Sequence, residues 1–156
     1  MLATQIADPQ AVTATELETW RKDLNNYVLT DALSKLTANS PHADKKIAQW
    51  TGKKAEWTAS AGWTVLAHRA RSEDWSAKDL AAFLPQIEAN IHLAKNRARY
   101  SMLMALIAIG LRGGSLEKKA LAAAKRIGPV EVDHGETGCK TPDPAAYIAR
   151  AKARRK

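Results

Sequence analysis

Tyr27 and Asp31 stand four residues apart in the run Trp20 to Leu33, WRKDLNNYVLTDAL. On a helix, residues at that spacing project from one face, so a tyrosine ring would lie beside a carboxylate. A ring face attracts positive charge and the anion adds Coulomb energy, so the two could hold a cationic ligand such as an N-alkylated purine. The competing use of the same residues is an Asp31–Lys35 ion pair with Tyr27 capping the core, worth about 0.2–0.5 kcal/mol. Spacing by itself favours the ion pair.

A second cluster, Lys95-Asn96-Arg97-Ala98-Arg99-Tyr100, puts three cations and an amide at the start of a predicted helix. Such a group can neutralise phosphates, and the helix dipole adds partial positive charge. A solvated first turn accounts for it equally well. The familiar catalytic signatures are missing: no Gly-rich phosphate loop, no His-Glu-x-x-His pair and no nucleophile elbow. His42, His68, His92 and His134 are scattered and read as surface or packing residues rather than metal ligands. The single cysteine, Cys139, rules out an internal disulfide and a Cys-based zinc site. Neither a metal nor a cofactor is expected.

The charge distribution narrows the class of partner. Residues 1–94 carry ten Lys/Arg against eleven Asp/Glu, a net of −1, whereas residues 95–156 carry fourteen against five, a net of +9. That asymmetry suits a densely negative partner, usually nucleic acid. A solubilising tail would explain part of it, because Arg150, Lys152, Arg154, Arg155 and Lys156 fall within residues 149–156. The chain of 156 residues, 46% hydrophobic and 26% charged, fits one globular domain over residues 1–156. No signal peptide is read at the N-terminus. The most apolar run, Tyr100 to Leu111, is too short to span a bilayer, and the expected location is cytoplasmic.

The elements that must position these residues are helices. Thr15 to Glu18 reads as a capping box ahead of Leu17, Trp20 and Leu24. A second helix begins near Asn25 or Asn26 with Leu29, Ala32, Leu33 and Leu36 on one stripe, and ends by Pro41. A third carries Ala43, Ile47 and Trp50. A fourth runs from about Ala55 to Arg71 with two apolar stripes. Ser76 opens a fifth with Leu80, Phe83, Leu84, Ile87 and Ile91. The sixth, Asn96 to Leu111, is apolar nearly all round and hence central. A seventh ends at Gly128-Pro129, and a last helix starts at Pro142 or Pro144 and fades into the tail. Only residues 130–133 alternate like a strand, and they read as an extended connector. Seven to eight helices with short connections predict an all-α fold of stacked antiparallel helix pairs, an α-solenoid.

The run from Trp20 to Leu33, the segment Glu56 to Trp63 (EWTASAGW), and the block from Ile127 to Gly135 with Cys139-Lys140-Thr141-Pro142 resemble the DNA alkylation repair proteins of the HEAT-like-repeat glycosylase class. The resemblance covers most of the chain and matches the family's C-terminal repeats. It implies a concave, positively charged surface that holds duplex DNA, and excision of N3- and N7-alkylated purines without base flipping. By that resemblance Asp31 is the catalytic carboxylate, stabilising charge on the sugar or positioning a water. Tyr27 takes the place of an aromatic partner, the family's arginine would fall near Ser60, and a later aromatic near Leu103. Substrate and DNA contacts are then expected from Tyr27, Trp63, Lys95, Arg97, Arg99 and Lys140. The implied partner is alkylated duplex DNA, with no membrane and no metal. Self-association is expected where the N-terminal repeats are missing. The alternatives are a non-catalytic helical scaffold for nucleic acid or protein, and an inactive truncated member.

Overall fold

The structure, a computed structural model, describes residues 2–154. Ten helical segments follow one another: α1 Leu2–Ile6, α2 Ala14–Lys22, α3 Tyr27–Ala38, α4 Ala43–Trp50, α5 Glu56–Arg69, α6 Ala77–Ala81, α7 Phe83–Asn90, α8 Asn96–Gly110, α9 Gly114–Ile127 and α10 Pro144–Ala153. No strand occurs among the described residues, and the connector between α9 and α10 runs without sheet pairing. The all-α expectation stands, with α1 as a segment that periodicity did not indicate. Residues 149–153 belong to α10, while Arg155 and Lys156 lie outside the described residues.

Two boundaries differ from the sequence reading, each for a local reason. The capping box at α2 is Thr13 with Glu16, two residues before the expected Thr15 and Glu18. Starting there brings Val12 and Leu17, the residues on either side of the first turn, into the core together, as in a hydrophobic staple. It also frees Glu18 for another task. The fifth predicted helix is two, α6 and α7, divided at Ala82. Pro85 has no N–H to give Ala81, and its ring would meet that residue's carbonyl in a continuous helix.

The helices stack as consecutive pairs. On the inner layer α3, α5 and α8 lie side by side and parallel: the Glu56 carboxylate meets the Arg97 backbone at their starts, and Arg112 after α8 reaches the Ala70 carbonyl after α5. Small residues line these seams. The Ser34 hydroxyl donates to the Ala61 carbonyl across α3 and α5, and the Ser60 and Ser101 hydroxyls lie 2.7 Å apart across α5 and α8. On the outer layer α4 ends against α5 at Gly62, where a Cβ would sit 2.6 Å from the Thr51 nitrogen.

Glu18 binds the outer layer. Its Oε1 accepts from the Lys46 ammonium at 2.7 Å and the Trp50 indole at 2.8 Å, while Oε2 accepts from Arg21 Nε at 2.7 Å. Lys46 is only 2% exposed, so this carboxylate is what makes its burial tolerable. Desolvation pushes the Glu18 carboxyl up, but the donors Lys46, Arg21 and Trp50, with the Lys46 charge, outweigh it and bring the pKa to about 2.

Two outcomes follow. Glu18→Gln is expected to cost about 2 kcal/mol, discounted for the carboxylate's partial exposure, a fall in Tm of roughly 5 °C. Because the folded pKa is depressed, this contribution is complete above the ordinary value of 4.5 and is lost as pH falls toward 2. Thermal melts from pH 7 to pH 3 check both, the parent converging on the variant at the acid end. Gly62→Ala should lower Tm although alanine is the better helix former by about 1 kcal/mol, because the clash is with backbone. A raised Tm would show that α4 can give way.

Candidate functional site

The inner face carries a hollow of about 460 Å³ over α5, walled by α3 on one side and α8 on the other. The middle helix offers the small side chains of Thr64 and Ala67, so longer ones from its neighbours can meet above it. At the N-terminal end of this face the Arg97 guanidinium lies 5.0 Å from the ring centroids of both Tyr27 and Tyr100, one ring from α3 and one from α8. Arg97 Nε is buried without a hydrogen-bond partner, and the guanidinium is held by the two rings and by the charge of Asp31. The place read as a cradle for a ligand cation thus holds a cation of the protein itself.

Asp31 faces the same hollow but makes no ion pair with Lys35 among the described residues, so the simpler reading of that spacing does not hold. Desolvation raises the Asp31 pKa, and the nearby Arg97 charge opposes the rise. Desolvation also raises the Tyr100 pKa, Arg97 again opposing, so its phenol stays protonated. At the far end of the hollow stand Lys35, His68 and Arg71. Desolvation lowers the His68 pKa first, and the charges of Arg71 and Lys35 lower it further. The lining is three cations and a neutral imidazole against one carboxylate, a surface suited to phosphate.

Comparison with known proteins places this geometry. A model of the family described as DNA alkylation repair enzyme matches residues 1–137. The chain belongs to the DNA alkylation repair family. Two curated relatives are similar along nearly all of it: the uncharacterized protein Lin0241 of Listeria innocua, 29% identical, and the uncharacterized protein Lmo0209 of Listeria monocytogenes, 28% identical. They match 94% and 96% of this chain but only 65% and 66% of their own lengths, so the chain spans about two thirds of these relatives. A solved structure described as a new family of proteins related to the HEAT-like repeat DNA glycosylases with affinity for branched DNA structures superposes with a TM-score of 0.87. It is 23% identical and covers 98% of this chain and 67% of that one, which makes the fold HEAT-like.

Within this fold the expected residues separate into groups. Tyr27, Asp31 and Arg97 come together at the hollow's N-terminal end, Asp31 and Arg97 lining it and Tyr27 stacked on Arg97. Trp63 does not: it is 2% exposed on the opposite side of α5, edge-on to Phe83 at 6.2 Å. Lys95 is exposed beside that other face, next to Trp63 in a separate groove. Ser60, where the family's arginine would fall, is buried against Ser101 and leaves no room for a long side chain. Leu103 is likewise core, and the ring on α8 that reaches the hollow is Tyr100, almost one turn earlier.

Arg99 is spent on structure. It donates to the Glu131 carbonyl at 2.9 Å and the Ala94 carbonyl at 3.0 Å, while Asn96 takes the backbone N–H and carbonyl of Asp133 at 2.8 and 2.7 Å. These two side chains, three residues apart, hold the connector to the first turn of α8. The connector then reaches the hollow's edge, where His134 meets the Tyr100 ring at 5.5 Å and accepts or donates to Thr141 Oγ1. Lys140 is exposed on this segment. Tyr100, Lys35, His68 and Arg71 were not singled out as site residues. Their one signal was spacing: Tyr100 follows Arg97 by three, and Arg71 follows His68 by three.

The double hydrogen bond from Asn96 is testable by itself. Asn96→Ala should speed hydrogen exchange at the Asp133 amide about fivefold or more, with little change in α5 amides. Unaltered exchange would mean that the connector is held elsewhere.

Proposed function

We propose that this protein binds duplex DNA along the inner face of α3, α5 and α8, with Arg97 as the central contact, and that it does so without excising bases efficiently. The observation that carries this reading is the Arg97 guanidinium between Tyr27 and Tyr100 beside Asp31. The rings fix its direction, and its terminal Nη groups, unlike the buried Nε, would be the donors to phosphate or base-edge oxygens. Membership of the DNA alkylation repair family and the net charge of +8 support the choice of partner. An affinity for branched DNA, the property named for the structural relative, is consistent with a face that reads backbone rather than sequence.

Excision is the second reading, and the convergence of Asp31 with two tyrosines favours it. In the HEAT-like glycosylase resemblance an aromatic and an aspartate serve a cationic alkylpurine. Here such a base would meet the fixed charge of Arg97, and Ser60 supplies no replacement arginine. A carboxylate already facing a guanidinium has less to give to a developing sugar cation. Cytoplasmic location and self-association remain part of the proposal. The structure bears only on the membrane: no described helix is long and apolar enough to cross one.

Duplex affinity should fall steeply with salt, and Arg97→Ala should lower the slope of log K against log salt by about one. Asp31→Asn should bind as tightly as the parent or tighter, since the carboxylate repels phosphate. Methylated DNA incubated with excess protein is expected to lose no 7-methylguanine beyond spontaneous depurination. Release that disappears in Asp31→Asn would establish excision and overturn this reading.

A further inference from the structure

We propose that Lys35, His68 and Arg71 form a phosphodiester-binding site in which His68 takes up a proton as the phosphate seats. The proposal rests on the DNA-binding reading and names the ligand and chemistry of one end of the hollow.

Lys35 of α3 stands opposite His68 of α5 and Arg71 in the turn after it, all three lining the hollow and none with a side-chain hydrogen bond or ion pair among the described residues. Their neighbours show that this is a matter of direction. Arg69, between His68 and Arg71, points away and pairs with Asp44 and Asp74. Arg112 and Arg99 spend their donors on backbone carbonyls. Lys35 and Arg71, by contrast, keep their donors unspent where the inner face is open.

His68 sits between two like charges in a partly desolvated place, and both push its pKa down. A phosphate bridging Lys35 and Arg71 would offset that field, since its negative charge beside the imidazole favours the protonated form. The imidazole would then gain a proton and become a third donor. No bond is made or broken, and the proton comes from solvent. Binding that raises a site's pKa takes up protons and strengthens as pH falls. The other groups facing the site are Asp31 from α3 and Arg97 and Tyr100 from α8. Tyr100, its pKa raised by desolvation, does not change charge between pH 8 and pH 6. Asp31 would act in the same direction as His68 if it gained a proton, so it must be separated by mutation.

The test is duplex affinity from pH 8 to pH 6 at constant ionic strength, with the whole chain. The parent should bind roughly tenfold more tightly at pH 6, within the limit of tenfold per pH unit for one proton. His68→Gln should flatten the profile, and Asp31→Asn should keep it. Lys35→Ala and Arg71→Ala should each lower the salt slope by about one. A flat parent profile, or a dependence that survives in His68→Gln, overturns the proposal while salt-sensitive binding leaves the DNA reading intact. If the duplex fails to bind at all, the DNA reading falls and the site is judged on inorganic phosphate. A phosphate-induced rise in the His68 imidazole pKa, followed by NMR, then upholds the anion site, and an unmoved titration overturns it.

Discussion

Everything on the inner face depends on how closely three parallel helices can lie. Serine and alanine at the seams, with Ser34 bonded to the Ala61 carbonyl and Ser60 against Ser101, let α5 sit low between α3 and α8. Because the middle helix shows the small side chains of Thr64 and Ala67 to the hollow, Tyr27 and Arg97 can touch across it. Gly62 does the corresponding work behind, allowing the end of α4 to press on the same helix. A large residue at either place would separate the groups that make the site, without altering any of them.

Several outer cations are compensated: Lys46 and Arg21 share Glu18, Arg126 makes two bonds to Glu88, and Lys152 pairs with Glu117. Inside, Lys35, Arg71 and Arg97 face one carboxylate. The excess positive charge of the chain counted by residues lies in its C-terminal part, yet the cations facing the hollow come from α3, the turn after α5, and α8. Counting along the sequence and counting across a surface answer different questions, and recognition of a polyanion depends on the second.

Much of the fold was legible, because amphipathic periodicity and capping residues are local signals. Asn26, Ser76 and Gly128 mark ends where the sequence put them. The break at Ala82 was missed because an apolar stripe from Leu80 to Ile91 hides what Pro85 does to the backbone. The site was legible only in part. Tyr27 and Asp31 are four apart on one helix, so spacing finds them, but nothing local says that Arg97, 70 residues after Tyr27, lies against its ring. Trp63 was misplaced for a related reason: its segment is family-like, but a helix covered on two sides gives no sign of which face is inner. Arg99 looked like a phosphate contact because free carbonyls of a distant connector are invisible in a sequence.

The stacking of Arg97 between two rings also has an entropic meaning. A free arginine side chain samples many rotamers, and ordering one on a partner typically costs about 0.5–1.5 kcal/mol. Tyr27 and Tyr100 have already restricted this one before any partner arrives, and its terminal Nη groups make no hydrogen bond among the described residues. The ordering is completed when the chain folds, and the encounter begins with a rigid, correctly aimed group on an otherwise flexible charged surface.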